Sequence, residues 1–433
     1  MREERDSLKL VVCNDIPLIS MLNSQLKQNL IFLVSSERKQ DKENNKENIH
    51  YINFLDEDNI ISILQQYKDK ELDIIHLVGC DQYNVKDYNS LKKSQYDTVV
   101  GINNILHCLK RLNIEKYNFV VITKDVLYLE NNKNLNYAIS TMSGYIKAAA
   151  DEGYHIKHVD LDSESLEKEL LNIIYKEILI QSDIQIIYRK GIRYRILLQK
   201  IQASQITKNS DPLVYEGTYV VTGGMGGIAL EIVDVLLERY EASVLLLGRS
   251  KLTSIQEEKY TNMIKRYGEK VEYRQCDVSD YKSERLIIDG FKRRKNRKLD
   301  GIIHLAGIFR EKLIKDQFSD DIIETYNAKV FATYVQAKLV EENPGAIFIT
   351  TSSVRTIIPG ATVSAYCSAS EFNEHIVGYL NHNKNIKAYC ISWSQWSNTG
   401  MNSNSSMEEY LEEAIESVIH QTIGMKNIQL NFW

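Results

Sequence analysis

Short runs of aliphatic and β-branched residues alternate along the chain with longer segments that have the apolar period of a helix. Segment 228–240 (IALEIVDVLLERY) is one of these helical segments, and it separates two apolar runs. Strands that alternate with helices predict parallel sheets, so the pattern indicates an α/β architecture. The predicted strands lie at 8–14, 31–36, 73–79, 117–125, 218–224, 243–250, 271–280, 300–309, 346–353 and 387–394.

The two halves of the sequence resemble each other. DIIHLVG (73–79) matches GIIHLAG (301–307), and each is followed at nearly the same distance by another strand-like run, FVVITK or IFITTS. The repeat favours an internal duplication of one nucleotide-binding fold, and chance similarity between two buried strands is the alternative. The first half has no glycine-rich turn after its opening strand, so we expect it to be a scaffold without a site. The join is predicted near 206–214, a polar stretch with a proline.

Length and charge narrow the class of protein. A chain of 433 residues favours two domains, and a net charge of −5 gives no reason to expect nucleic acid or an anionic membrane as a partner. No apolar stretch approaches the roughly 20 residues that span a bilayer, and the N-terminus lacks the apolar core of a secretory signal. Six cysteines occur without a C-x-x-C pair, and nine histidines occur without metal-ligand spacing. We therefore expect a cytoplasmic protein that binds no metal.

A glycine-rich turn follows the strand that opens the second half. In TYVVTGGMGGIALEI (218–232) the glycines stand between a strand and a helix, where backbone N–H groups and the helix N-terminus can hold a pyrophosphate. Glycine leaves room for the phosphate to approach. Tight strand–helix turns also use glycine for steric reasons alone, so the turn by itself is weak evidence. The candidate cofactor residues here are Thr222, Gly223, Gly224, Met225, Gly226, Gly227 and Ile228.

The ends of the next three strands support a bound dinucleotide. The second strand ends near the expected position of the adenosine ribose, where a cation favours the 2′-phosphate of NADP and an acidic residue would favour NAD. The end of the third strand is suited to hydrogen-bonding an edge of the adenine. The end of the fourth strand has small residues, which let the nicotinamide ribose lie on the backbone. We therefore predict NADPH as the cofactor. The residues concerned are Gly248, Arg249 and Ser250, then Cys276, Asp277 and Val278, then Ala306 and Gly307.

Ser353 and Tyr366 stand thirteen residues apart after the predicted strand 346–353. At that interval a serine and a tyrosine can hold one carbonyl oxygen between two hydroxyl groups. Two polar residues that merely satisfy backbone groups are the structural alternative. Behind a dinucleotide-binding loop, the carbonyl clamp is the favoured interpretation.

Together these motifs carry a family resemblance. TGGMGG, GRS, CDVSD, HLAG, NAKV, SS…Y and SWSQW…GM resemble the short-chain dehydrogenases/reductases, and more narrowly the ketoreductase domains of modular polyketide synthases, of the bacterial trans-acyltransferase type. The resemblance covers the whole chain, because those domains pair a truncated, cofactor-free structural subdomain with a catalytic one. It implies two Rossmann-like, doubly wound parallel-sheet subdomains, structural over 1–211 and catalytic over 212–433. A lid near 397–424 is implied as well.

The resemblance also assigns roles to single residues. Tyr366 would give a proton to the reduced carbonyl oxygen, and Ser353 would hydrogen-bond the same oxygen. Lys329 of NAKV would take the place of the lysine of the usual Tyr-x-x-x-Lys motif and favour the phenolate. Both Lys329 and Tyr366 are also expected to contact the cofactor. Ser370 stands where relatives usually have asparagine, and we expect Ser370→Asn to leave activity unchanged or improved.

The implied substrate is a 3-ketoacyl group on the phosphopantetheine arm of an acyl carrier protein, with other domains of the same synthase as partners. Relatives that give the D alcohol usually carry an aspartate in a triplet after the HxAG strand, whereas those that give the L alcohol carry a tryptophan eight residues before the tyrosine. The D alcohol is therefore predicted as a weak preference. The residues of this substrate set are Phe309, Arg310 and Glu311 in the triplet, Ile358 at the tryptophan position, and Met401 in the lid.

Three alternatives stay open. The imperfect triplet leaves room for a 2-ketoacyl substrate within the same synthase. The domain can be a non-catalytic structural ketoreductase, for which Ser370 is the support. It can also be a stand-alone reductase or epimerase of small metabolites, against which the duplicated first half argues.

Overall fold

The computed structural model describes residues 7–25, 29–38, 48–81, 83, 85–129, 135–163, 167–180, 183–197 and 211–394. By its contacts the chain divides into two compact units. The first unit comprises Met1–Ile196, Arg310–Glu324 and Arg355–His375, and the second comprises Leu197–Phe309, Thr325–Val354 and Ile376–Trp433. Two segments of late sequence therefore join the first unit, while the boundary at 211–212 remains a prediction.

The first unit is built on a sheet of eight strands in the order β3-β2-β1-β4-β5-β6-β7-β8. Neighbouring strands are parallel from β3 to β7, and β8 closes the edge as an antiparallel hairpin partner of β7. The strands are β1 (Leu8–Val12), β2 (Leu30–Ser35), β3 (Ile49–Ile52), β4 (Leu72–His76), β5 (Tyr117–Lys124), β6 (Ile156–Leu161), β7 (Gln185–Arg189) and β8 (Ile192–Arg195).

Helices connect these strands, as parallel pairing requires. They are α1 (Ile16–Gln25), α2 (Glu57–Leu64), α3 (Tyr88–Gln95), α4 (Gly101–Arg111), α5 (Thr141–Asp151) and α6 (Glu167–Leu179). Local sequence sets where they begin: Asp56 caps α2 by accepting from the N–H groups of Asp58 and Asn59, and Asp87 with Ser90 forms a capping box at α3. A π-helical turn, Tyr96–Val100, joins α3 to α4.

The second unit contains a sheet of six parallel strands in the order β11-β10-β9-β12-β13-β14. The strands are β9 (Thr218–Thr222), β10 (Ser243–Gly248), β11 (Val271–Gln275), β12 (Gly301–His304), β13 (Ile347–Ser353) and β14 (Ala388–Trp393). The remaining helices are α7 (Gly227–Arg239), α8 (Ser254–Tyr267), α9 (Tyr281–Lys295), α10 (Ser319–Tyr326), α11 (Ala332–Glu341) and α12 (Ser364–Lys384). Both α10 and α12 begin in the first unit and end in the second.

The first six strands of the first sheet and all six strands of the second have the doubly wound order 3-2-1-4-5-6, in which the crossover reverses beside the first strand. The predicted Rossmann-like α/β fold is confirmed. A second π-helical turn, Asn327–Phe331, precedes α11 just as Tyr96–Val100 precedes α4, which supports duplication of one fold. In an open sheet of this kind, ligands bind at the carboxyl ends of the strands next to the reversal. In the second unit that place is the end of β9 and β12.

Every predicted strand run overlaps a strand, but the apolar pattern did not reveal β3, β6, β7 and β8. In β6 (IKHVDL) the pattern is broken by Lys157, His158 and Asp160, all of which are buried. Ion pairs and hydrogen bonds make their burial possible, since Asp160 accepts from Arg189 and Lys157 pairs with Glu177. Among the described residues no helix has the length and apolarity that crossing a bilayer requires.

Candidate functional site

The turn after β9 requires glycine at its first two positions. Gly223 has a φ of +66°, and a Cβ there would lie 3.0 Å from Cα of Ala306. A Cβ on Gly224 would lie 2.8 Å from Cβ of Leu246. The N–H of Gly226 closes the turn by donating to the carbonyl of Gly223 at 2.8 Å. The backbone therefore takes a tight path that leaves no space for side chains at Gly223 and Gly224.

Helix α7 begins directly after this turn, at Gly227. Its N-cap residue is Gly226, and no side chain of the described residues caps it. Gly226 is exposed, so the N–H groups of the first helical turn are open to an anion at the positive end of the helix. The turn and the helix end together fit a pyrophosphate, as the sequence predicts.

A hydrogen-bonded pair holds the end of β12 against this turn. Oγ1 of Thr222 accepts from the N–H groups of Leu305 at 3.2 Å and Ala306 at 3.3 Å, and it lies 2.7 Å from Nδ1 of His304. Burial, together with the charge of Lys329, lowers the pKa of His304 to about 3, so the imidazole is neutral. Thr222 and His304 therefore share a hydrogen bond between two uncharged groups. Sequence reasoning named Thr222 but missed His304, although the HLAG motif contains it.

Side chains of β11 fix the backbone of the GRS segment. Nε2 of Gln275 donates to the carbonyl of Arg249 at 3.0 Å, and the hydroxyl of Tyr273 donates to the carbonyl of Ser250 at 2.6 Å. A Cβ on Gly248 would lie 2.6 Å from that hydroxyl, so glycine is required there. The side chain of Arg249 itself is exposed. Tyr273 and Gln275 were not predicted; their spacing of two on a strand puts them on one face.

The loop after β11 is anchored at both ends. The N–H of Cys276 donates to the carbonyl of Gly248 at 2.8 Å, and Asp277 accepts from the N–H of Ser279 at 3.0 Å. Burial raises the pKa of the Cys276 thiol to about 12, so the thiol stays protonated. Asp280 then caps α9. The loop from Cys276 to Val278 therefore has a defined backbone at the predicted adenine position.

A buried polar pair supports the same loop from beneath. Nε2 of Gln336 donates to the carbonyl of Val278 at 3.3 Å and to Oε2 of Glu284 at 2.7 Å. Glu284 is fully buried, and this burial raises its pKa to about 8. Neither residue was predicted, because a glutamate and a glutamine on helices read as surface residues in the sequence pattern.

Lys329 lies in the π-helical turn before α11 and is buried, with 3% of its surface exposed. Its Nζ donates to the carbonyl of Thr351 on β13 at 3.0 Å. Ser353 ends the same strand two residues later and is also buried. Within the second unit, the predicted lysine and the predicted serine are thus both tied to the end of β13.

Tyr366 and Ser370 lie in the first unit, on the first two turns of α12. Tyr366 is partly exposed, whereas the residues on both sides of it in the helix are buried. Ser370 follows one helical turn later and is fully buried, so an asparagine there must displace its neighbours. The assignment of Tyr366, Ser353 and Lys329 to one clamp remains a prediction.

The predicted substrate residues are largely at the surface. Phe309 and Ile358 are half-buried, and Glu311 is exposed. Arg310 is exposed too, and its Nη2 pairs with Glu324 at 2.7 Å. Met401 and the predicted lid at 397–424 lie outside the described residues.

Comparison with known proteins identifies the second half of the sequence. Residues 217–398 match the family described as KR domain. This part of the chain is therefore similar to a KR domain. Polyketide synthase PksN of Bacillus subtilis is 25% identical over 291 residues, which are 65% of this chain and 5% of that protein. PksM of the same organism is 25% identical over 230 residues, 53% of this chain and 5% of that protein. The chain therefore spans only a small part of the length of these relatives.

Solved structures extend the likeness of the KR domain to the first half of the chain. A multidomain structure of adenylation, ketoreductase and pseudo Asub domains from a keto acid-selecting NRPS module has a TM-score of 0.85 and 24% identity, and covers 95% of this chain and 35% of that one. An N-terminal ketoreductase from the macrolactin assembly line has a TM-score of 0.75 and 19% identity. The match covers 92% of this chain and 81% of that chain. The fold and the predicted resemblance to polyketide synthase ketoreductases are confirmed.

Proposed function

We propose that the KR domain reduces a ketone on a carrier-bound polyketide intermediate to a hydroxyl group, with NADPH as the reductant. The observation that carries this proposal is the turn after β9. Gly223 and Gly224 leave no space for side chains, and the uncapped start of α7 offers N–H groups to a pyrophosphate. A protein that binds no anion at this turn does not need the tight glycine turn and the uncapped helix start together.

NADPH would lie along the carboxyl ends of the second sheet. The turn 222–228 would hold the pyrophosphate, and Arg249 would pair with the 2′-phosphate through its planar guanidinium. The loop 276–278 would contact the adenine, with Ala306 and Gly307 beside the nicotinamide ribose. When bound, the nicotinamide supplies a hydride to the ketone carbon.

The chain's own residues would handle the oxygen of that ketone. Reduction develops negative charge on the oxygen, and Tyr366 would donate the proton that neutralises it. Ser353 would donate a hydrogen bond to the same oxygen as the charge develops. The ammonium group of Lys329 would stabilise the negative charge that the tyrosine oxygen takes up as it gives its proton away. These roles follow from the residue types and the resemblance to ketoreductases.

A two-stage experiment tests the proposal. Fluorescence titration with NADPH should show saturable binding, and NADPH should then be consumed in the presence of 3-ketoacyl N-acetylcysteamine thioesters. Binding without turnover of any thioester would favour the non-catalytic structural alternative. Absence of NADPH binding would overturn the proposed function altogether.

A 2-ketoacyl substrate is the second candidate. The structure from a keto acid-selecting NRPS module shares its fold over 95% of this chain. The triplet at 309–311 also departs from the one that relatives giving the D alcohol usually carry, because it reads Phe-Arg-Glu, and this departure leaves room for a different substrate. A competition assay with matched 2-keto and 3-keto thioesters separates the two, since the preferred substrate has the larger kcat/KM.

The product and the carrier complete the proposal. From a 3-ketoacyl substrate we expect the D alcohol as the weak preference, and chiral chromatography measures it directly.

We propose an acyl carrier protein as the partner, because the relatives are polyketide synthases. A thioester on a phosphopantetheinylated carrier should then be reduced with a lower KM than the same acyl group on N-acetylcysteamine. Equal KM values would favour the stand-alone reductase.

A further inference from the structure

Helix α5 belongs to the first half of the sequence, which has no cofactor motif, yet it contacts the segment that carries Tyr366. We call Arg355–His375 the tyrosine segment; it and α5 lie in the same compact unit. Their backbones approach closely, because a Cβ on Gly144 would lie 2.6 Å from the carbonyl oxygen of Cys367. The hydroxyl of Ser368 donates to the carbonyl of Thr141 at 2.8 Å.

Lys147 connects two parts of the tyrosine segment to α5. Its Nζ donates to Oε2 of Glu371 at 2.9 Å, and to the carbonyl of Thr356 at 2.5 Å. Thr356 precedes Tyr366 in the loop, and Glu371 follows it on α12. The other carboxylate oxygen, Oε1, accepts from the hydroxyl of Ser143 at 2.9 Å. A single ammonium group therefore holds both sides of the stretch that contains the tyrosine.

Charge favours this arrangement. Burial opposes both charged forms, but the attraction between the two groups outweighs it, so the pKa of Glu371 is lowered and that of Lys147 is raised. The pair is ionised at neutral pH. The side chains are only 16% and 7% exposed, so solvent screens their attraction weakly.

A second contact from α5 fixes the loop between Ser353 and Tyr366. Oδ2 of Asp151 accepts from the N–H of Gly360 at 2.8 Å. Gly360 has a φ of +78°, and a Cβ there would lie 2.5 Å from Nη1 of Arg355. The guanidinium donates from Nη1 to the carbonyl of Pro359 at 3.0 Å. The loop is thus held at Thr356 and at Gly360.

We propose that Lys147 is a positioning residue for ketone reduction: it fixes the loop and the helical turn on either side of Tyr366 and thereby sets the place of the phenol. The inference rests on the proposed function. It gives the cofactor-free first half a specific part in catalysis. A displacement of about 1 Å at a reacting group can cost on the order of 10²-fold in rate, so loss of this anchor should lower kcat.

The chain contains a matched control. Lys157 also pairs with a buried glutamate at 2.9 Å, Glu177, and also donates to a backbone carbonyl at 2.5 Å, that of Ile180. It lies in the same unit, and its side chain is 9% exposed. These partners belong to α6 and the residue after it, not to the tyrosine segment. A purely structural role would make the two lysines equivalent.

The experiment compares Lys147→Met with Lys157→Met. Both variants should lower the urea concentration at which half of the protein is unfolded. Only Lys147→Met should lower kcat for the thioester substrate, by about tenfold or more, while the Kd for NADPH stays within about twofold of the wild-type value. Lys147→Arg keeps the positive charge but changes the geometry of its donors, so its kcat should lie between those of Lys147→Met and the wild type. If Lys147→Met does not fold, a kcat of Lys147→Arg equal to that of the wild type would overturn the positioning role.

Hydrogen–deuterium exchange supplies a readout that does not depend on turnover. Peptides within 355–375 should exchange faster in Lys147→Met than in the wild type, and at the wild-type rate in Lys157→Met. Unchanged exchange in Lys147→Met, or equal acceleration in both variants, would overturn the positioning role. A wild-type protein that binds NADPH but reduces no ketone would instead contradict the proposed function and leave the exchange result valid.

Discussion

Arg249 is the residue that we expect to decide between the two nicotinamide cofactors. Its carbonyl is fixed by Gln275 while its side chain is exposed, so the guanidinium is available to a 2′-phosphate. Arg249→Ala should raise the KM for NADPH on the order of tenfold or more and change the KM for NADH little, because only NADPH carries that phosphate. Arg274→Ala, at another exposed arginine nearby on β11, is the control. Equal effects of Arg249→Ala on both cofactors would contradict the assignment.

Glu284 makes stability depend on pH. Its pKa in the folded protein is about 8, above the ordinary 4.5, so the folded state keeps a proton that the unfolded state loses. Stability should therefore fall as the pH rises from about 4.5 to about 8, by at most about 1.4 kcal/mol per pH unit. Glu284→Gln is neutral at every pH and should flatten this decline. Urea midpoints at about pH 6 and about pH 8 measure it, with Glu257→Gln on α8 as the exposed control. A decline that persists in Glu284→Gln would show that other groups cause it.

The turn between β9 and α7 is the element on which we expect cofactor binding to depend. Gly223→Ala introduces a Cβ at a φ of +66°, and this Cβ meets the backbone of Ala306 at 3.0 Å. The backbone strain alone should cost about 1–2 kcal/mol. Gly268→Ala also introduces a Cβ at a positive φ but without the contact, because Gly268 has a φ of +59° and nothing lies within 4 Å of its Cβ position. Both variants should lose stability, but only Gly223→Ala should lose NADPH affinity by titration. Equal affinities would mean that the turn does not hold the cofactor.

The duplicated elements explain why only the second half carries the candidate clamp. His304 pairs with Thr350 across the sheet, as His76 pairs with Val121 in the first unit. Three residues further along these strands stand Ser353 in the second half and Lys124 in the first. In the π-helical turns, the third position is Lys329 in the second half and Thr98 in the first. The first half therefore keeps the elements without the residues that would act on a carbonyl.

At the scale of the whole molecule, local patterns predicted the sheets and the glycine turn, because each depends on a few consecutive residues. The strand β6 was missed because Lys157 and Asp160 are buried in it, and their partners Glu177 and Arg189 are distant in sequence. The support of the predicted site was missed for the same reason. Glu284 and Gln336 each resemble surface residues, and only the packing of α9 and α11 brings them together under the loop 276–278.

The division into units was not predictable from local sequence either. Residues Arg355–His375 come late in the chain, yet they join the first unit through contacts with α5. Those contacts are made by Thr141, Ser143, Gly144, Lys147 and Asp151, and nothing in the apolar pattern of α5 distinguishes them. The fold class could thus be predicted from the sequence, whereas the contacts between α5 and the tyrosine segment could not.

The most direct test of the whole account is the behaviour of Tyr366→Phe. The variant keeps the ring and removes the hydroxyl group, so it deletes only the proposed proton donor. NADPH should bind with a Kd within about twofold of the wild-type value, while kcat for the preferred ketoacyl thioester falls by about 10²–10⁴-fold. A variant that binds NADPH and retains most of the wild-type kcat would contradict protonation of the ketone oxygen by Tyr366.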